Sequence, residues 1–211
     1  LRIGADLSHV FCEEDAGVPI KSYCPDLIVH PVIRPFSHRE STHRVQDWFP
    51  RLNALVIGPG LGRNQQTLSI VSDLIKSARE SSMPIVIDGD GLFLISQKPE
   101  LIAGYHKAIL TPNKAEFARL QNYQDETIED MCKRLGNVTI IQKGVIDVIS
   151  DGRVSLVCDT EGGRRRCGGQ GDILSGSIGT IVSWSYQTLR NQELRGAICA
   201  HLGWEAHAET V

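Results

Sequence analysis

Ala54-Leu55-Val56-Ile57-Gly58-Pro59-Gly60-Leu61-Gly62 is a short apolar, β-branched run that stops on a glycine-rich turn, and an amphipathic stretch over 65–81 follows it. Such a strand–turn–helix step is the repeating unit of a sheet whose neighbours run parallel. The glycine spacing fits neither the dinucleotide fingerprint nor the Walker phosphate loop. On its own the turn is explained by a tight strand-to-helix connection nearly as well as by a ligand loop. Gly60 is the residue in it that would approach a ligand.

The same step recurs along the chain. Candidate strands lie at Leu7–Cys12, Leu27–Val32, Ala54–Ile57, Pro84–Asp88, Ala108–Thr111, Val138–Gln142, Val145–Ser150 and Val154–Cys158. Helical patterns fall between them at about 15–23, 42–50, 65–81, 92–102, 113–121 and 126–135, and again at Ile173–Leu189 and Gln192–Glu209. The dipeptide Asp151-Gly152 between two short strands is a hairpin signal, so an antiparallel piece should follow the parallel sheet. No repeat or linker divides the chain, and one domain is expected.

Composition narrows the function classes. The 211 residues can bury a core without disulfides or metal staples. A formal net charge of -3 argues against a general nucleic-acid binder, which carries a basic face. The six cysteines form no CxxC pair and no metal-ligand spacing, so they read as free thiols in a reducing compartment. No apolar run reaches the length of a membrane span. The sequence opens at Leu1 with no targeting segment, and an N-terminal piece is expected to be missing. The seven histidines show no ligand spacing and receive no role; His38 and His43 are expected in a loop. Trp184 and Tyr186 read as core packing.

Most glycine-rich and polar signals fall just after strands, at Gly58–Gly62, Asp88–Gly91, Thr111–Asn113 and Lys143-Gly144. In an open parallel sheet those carboxyl ends share the edge where ligands bind. The fullest signal is Arg164-Arg165-Arg166-Cys167-Gly168-Gly169-Gln170-Gly171-Asp172, which opens an apolar helix. Unpaired N–H groups and the positive dipole end of a helix attract phosphate, and glycines let an anion approach the backbone. Asp172 in the first turn is held as the anion and serves as a base if the site is partly dry. A capped turn is the plain alternative, but three glycines in four positions exceed what capping needs. In Thr111–Glu116, Asn113 and Glu116 fit a capping box; equally, they could hold a hydrated Mg²⁺ and phosphate oxygens, with Arg119 one turn on. Asp88 reads slightly better as a turn residue, Asp90 less so. Lys143 would ordinarily be solvated, but beside Gly144 at this edge it could meet a nucleotide phosphate.

Together these segments, with Gly4–Leu7 and Ile20–Pro25, resemble the nucleotide-dependent NAD(P)H-hydrate dehydratases of the ribokinase-like superfamily. The Arg-Arg-Cys-Gly-Gly-Gln-Gly-Asp form resembles its ATP-using eukaryotic branch. The resemblance implies a three-layer α/β/α ribokinase-like fold, with a mainly parallel central sheet and a short antiparallel extension. It implies repair of NADHX and NADPHX by ATP-dependent dehydration, with ATP as co-substrate and Mg²⁺. Asp172 would be the catalytic base. The hydrated cofactor would lie against Gly60, Asn113, Lys114, Ala115, Glu116, Phe117, Ala118, Arg119 and Asp172. ATP would lie against Lys143, Gly144, Val145, Ile146, Asp147, Gly162, Gly163, Arg164, Arg165, Arg166, Cys167, Gly168, Gly169, Gln170 and Gly171, and Glu116 would reach the metal through water. It further implies a cytoplasmic or mitochondrial setting, a functional link to an NAD(P)HX epimerase and room for a homo-oligomer, with no nucleic-acid or membrane partner. The family has a strand and a Gly-rich turn ahead of Leu1 and helices past Val211, so a shortened chain is expected. Two rival readings remain: a small-molecule kinase of the same superfamily, and an inactive fragment that retains the nucleotide site.

Overall fold

The computed structural model describes residues 3–160 and 167–188. All eight expected strands are present, each within two residues of its expected start and end. A two-stranded parallel pair comes first, β1 (His9–Glu13) and β2 (Ile28–Ile33), joined by α1 (Glu14–Tyr23). The main sheet has six strands in sequence order: β3 (Leu55–Ile57), β4 (Ile85–Ile87), β5 (Ala108–Leu110), β6 (Thr139–Gln142), β7 (Asp147–Ser150) and β8 (Ser155–Cys158). The first four run parallel, and β7 and β8 are antiparallel, as the Asp151-Gly152 turn requires.

Helices α3 (Gln65–Glu80), α4 (Gly89–Gln97), and α5 (Lys114–Leu120) with α6 (Ile128–Arg134) are the crossovers between the parallel strands. The strand order never reverses along β3 to β6, and right-handed crossovers that all step the same way place their helices on one face. The two-residue period of the strands then divides the core. Ile85, Ile87, Leu110 and Ile140 pack with α3 to α6 in one cluster. Val86, Ile109, Ile141 and Ile149 point the other way and pack with Leu174, Ile178 and Val182 of α7 (Gln170–Thr188). The result is three layers, with α7 covering the face that the crossovers leave bare.

Several local expectations are corrected. The second helix, α2, covers His38–Gln46, so His38 and His43 are helical; it ends four residues short of the expected end, and a 3₁₀ turn at Phe49–Arg51 completes the segment. Helix α4 begins three residues early, on Gly89, and also closes in a 3₁₀ turn, at Pro99–Leu101, where proline tolerates a first turn. Trp184 is 44% exposed and so is not a core residue, whereas Tyr186 packs on the α7 cluster. His9 Nδ1 and His30 Nε2 stand 2.9 Å apart with ring planes within 5°, an in-plane N–H···N bond beside Trp48. The expected helix over Gln192–Glu209 lies outside the described residues.

Candidate active site

Two of the strand-end motifs and the start of α7 converge at one point. Asp88 follows β4 and Lys143 follows β6, and β5 lies between those strands. The long lysine side chain reaches across to place Nζ 2.9 Å from Asp88 Oδ1, with the two side chains 6% and 19% exposed for Asp88 and Lys143 respectively. Each charge would be costly there alone; paired, they neutralise one another. The first turn of α7 rests on this pair. A Cβ on Gly171 would lie 3.4 Å from Asp88 Oδ2 and 3.6 Å from Lys143 Nζ, so any longer side chain would displace the pair. A carboxylate at a helix N-terminus also meets the positive end of the dipole.

Asp172 comes next in the chain and is exposed, and it forms no ion pair among the described residues. Among the described residues nothing supplies the partly dry setting expected for a base. Cys167, Gly168 and Gly169 are exposed too, and nothing stands within 4 Å of the position of a Cβ on Gly168 or Gly169. Gly162, Gly163, Arg164, Arg165 and Arg166 lie outside the described residues.

The 58–62 turn is built against the same edge. Gly58 has φ +122°, and a Cβ there would sit 1.8 Å from the carbonyl oxygen of Asp88, which only glycine avoids. Asp90 clamps the turn from α4: its Oδ2 accepts from the Gly62 N–H at 3.0 Å and its Oδ1 from Arg63 Nε at 2.8 Å. Asp90 thus serves the turn, and Gly60 is left exposed with open space around it.

Asn113 and Glu116 make the complete capping box of α5. The Asn113 side chain accepts from the N–H groups of Ala115 and Glu116, each at 3.0 Å, and Glu116 Oε2 accepts from the Asn113 N–H at 2.8 Å. The box commits one Glu116 oxygen. The Lys143 N–H donates to the Pro112 carbonyl at 2.8 Å, and Asn113 bridges to Lys143, so the segments expected to hold the two substrates touch. Lys114, Ala115, Ala118 and Arg119 are exposed, but Phe117 is 5% exposed and belongs to the core. Its side chain is turned away from the ligand edge by the helix period, leaving only its backbone available. Asp147 is similar: it is buried and accepts from the Gly144 N–H, shaping the turn that presents the exposed Val145 and Ile146. Burial raises its pKa, opposed by the Gly144 bond and the Lys143 charge. Among the described residues no group of three or more His, Cys, Asp or Glu is placed to hold a metal.

Sequence reasoning missed the pairing of Asp88 with Lys143. Both were legible as strand-end residues, and opposite charges on one edge were the signal that could have joined them.

A sheet layered between helices, with a glycine-rich helix start closing on its carboxyl edge, is the architecture of the ribokinase-like fold. The fold matches a crystal structure of a ribokinase-like superfamily protein from Enterococcus faecalis V583 with a TM-score of 0.77 at 20% identity, over 98% of this chain and 69% of that one. Within that class, the model of the NAD(P)H-hydrate dehydratase family matches residues 1–210, and the chain belongs to that family. It is 48% identical over 195 residues to the ATP-dependent (S)-NAD(P)H-hydrate dehydratase of Pongo abelii, covering 88% of this chain and 58% of the relative. It is 47% identical over 204 residues to the protein of the same name from Schizosaccharomyces pombe, covering 91% and 62%. The chain therefore spans about six tenths of the length of these relatives.

Proposed function

We propose that this chain carries the catalytic face of an ATP-dependent dehydratase that returns the S-form of NADHX and NADPHX to NADH and NADPH. The observation that carries the reading is the junction of Asp88, Lys143 and Gly171. It sets the helix start that precedes Asp172 beside a buried ammonium at the ends of the parallel strands.

Hydroxide is a poor leaving group, so direct loss of water from the hydrated ring is slow. Asp172 takes the proton of the ring hydroxyl, and that oxygen attacks the γ-phosphate of ATP, with ADP leaving. The N–H groups of Gly169 to Gly171 face the charge that develops on the transferred phosphoryl group. Lys143, held by Asp88, adds a fixed positive charge. The C–O bond of that ester then breaks, inorganic phosphate leaving as the ring nitrogen's lone pair forms an iminium, and loss of a proton from the adjacent ring carbon to solvent restores the dihydropyridine. Asp172 is exposed in the free protein, so substrate binding supplies the drier setting that a base needs.

Mg²⁺ would supply charge neutralisation on the ATP phosphates. The donor set fits a metal that arrives with nucleotide and keeps its waters, since Glu116 keeps one carboxylate oxygen outside the capping box and no protein cage is present among the described residues.

The test is incubation with NADHX, ATP and Mg²⁺, following near-ultraviolet absorbance and free phosphate. Recovery of NADH with release of ADP and phosphate is expected, and a stable phosphorylated product would instead make the protein a kinase. Asp172→Asn should keep ATP affinity within a few-fold while turnover drops by about a thousandfold or more. Near-normal phosphate release by that variant removes Asp172 from the base role.

A further inference from the structure

We propose that Arg63 and Arg119 form a two-guanidinium site for a phosphoryl group of the dinucleotide, with Asp90 as the residue that fixes Arg63. The inference rests on the dehydratase reading and extends its substrate side.

Three elements contribute. Arg63 leaves the 58–62 turn just before α3, Phe93 stands on α4, and Arg119 lies in the last turn of α5. Their side chains gather on one ring: the Arg63 Cζ is 4.5 Å and the Arg119 Cζ 6.0 Å from the centroid of Phe93. The ring attracts both cations and its half-buried position holds them on the sheet edge.

Asp90 is the carboxylate that Arg63 meets, and both its oxygens are engaged, one by Arg63 Nε and the other by the Gly62 N–H. Arg119 forms no ion pair among the described residues. Nor do the terminal amino groups of Arg63 make a hydrogen bond there, although its side chain is 54% exposed. Arg63 is therefore anchored through Nε with its fork uncommitted. Two guanidinium groups on one ring, with the Arg63 fork uncommitted and Arg119 in no ion pair among the described residues, leave a place for a further anion.

Guanidinium forks match the oxygens of a phosphoryl group, and an anchored fork gives up little freedom on binding. The location fits the substrate. Arg63 is three residues beyond Gly60, and Arg119 ends the segment that starts at Asn113, so a molecule lying along both segments passes this pair. A dinucleotide brings two sources of such oxygens, its bridging diphosphate and, in NADPHX, the 2′-phosphate.

Calorimetric titration with NADHX and with NADPHX, in the absence of ATP, separates them. Arg63→Ala and Arg119→Ala should each weaken binding by about tenfold or more, with ATP affinity of Arg63→Ala unchanged. Loss confined to NADPHX assigns the 2′-phosphate, and equal loss with both assigns the diphosphate. Arg63→Lys keeps the charge without the fork and should recover only part of the affinity, and Asp90→Asn should fall between wild type and Arg63→Ala. Unchanged affinity of Arg63→Ala for both hydrates overturns the inference, as does a wild type that binds neither. A wild type that binds both without dehydrating either overturns the proposed function and leaves the phosphoryl site standing.

Discussion

Asp88 and Lys143 are each too buried to stand as an isolated charge, and their stability depends on remaining together. Lys143→Met strands the carboxylate and should cost about 3 kcal/mol in urea denaturation. Removing both charges, in Lys143→Met with Asp88→Asn, should return part of that loss while ATP affinity stays low. Gly171 gives a second handle. Alanine places a Cβ at ordinary contact distance from the pair and should be tolerated, but Gly171→Val pushes into it and should lower ATP affinity by about tenfold. At this scale the sequence showed which residues sit at the carboxyl ends of the strands, because glycines and charges after strands are local signals. It did not show partners, since the Asp88–Lys143 contact spans 55 positions and depends on how strands line up. It also could not tell that Phe117 and Asp147 turn inward while their neighbours face solvent.

Helix α7 is the element on which site and core depend together. Its inner stripe of Leu174, Ile178 and Val182 meets the sheet residues that point away from α3 to α6. Ile178→Ala, at a position with no exposure, should cost about 3 kcal/mol and lower ATP affinity in the protein that remains folded. Ile75→Ala, equally buried on α3, should cost a similar amount and leave ATP affinity intact. Binding titrations below the unfolding midpoint separate the two. Exposed Cys167, just ahead of α7, offers a chemical readout: alkylation should reach it well before buried Cys132, whose thiol burial pushes up to about 12, and ATP should protect it. Peptide mass mapping checks the order. Strands were legible at this scale because β-branched runs bounded by glycine and proline admit few alternatives. Helix ends were less so, since the 3₁₀ turns at Phe49–Arg51 and Pro99–Leu101 carry the same apolar spacing as the helices they adjoin.

Across the whole molecule, acid should act through two groups in succession. Burial and the neighbouring His9 lower the pKa of His30 from its ordinary 6.5. Below 6.5 the unfolded chain takes up a proton that the folded protein resists, so stability falls as the pH drops through that window. Burial would raise the pKa of Glu126, but its bonds to Arg134 and the Asn122 N–H outweigh that and lower it. Its stabilising contribution is present at neutral pH and is lost on further acidification through the carboxylate range. Urea midpoints measured from about pH 7.5 to about pH 5.5 should decline, and His30→Asn should flatten that stretch of the curve. The layered class of fold was readable in advance; which face each helix covers was not, because that follows from strand order. The order has a further consequence on the ribosome. Because β3 to β8 are laid down side by side in sequence and α7 is made after all of them, the growing chain carries one bare apolar face until α7 emerges. The glycine-rich turn at 168–171 therefore takes shape only after all six strands are made, and a nascent chain halted before α7 would offer a chaperone a greasy sheet without the proposed base.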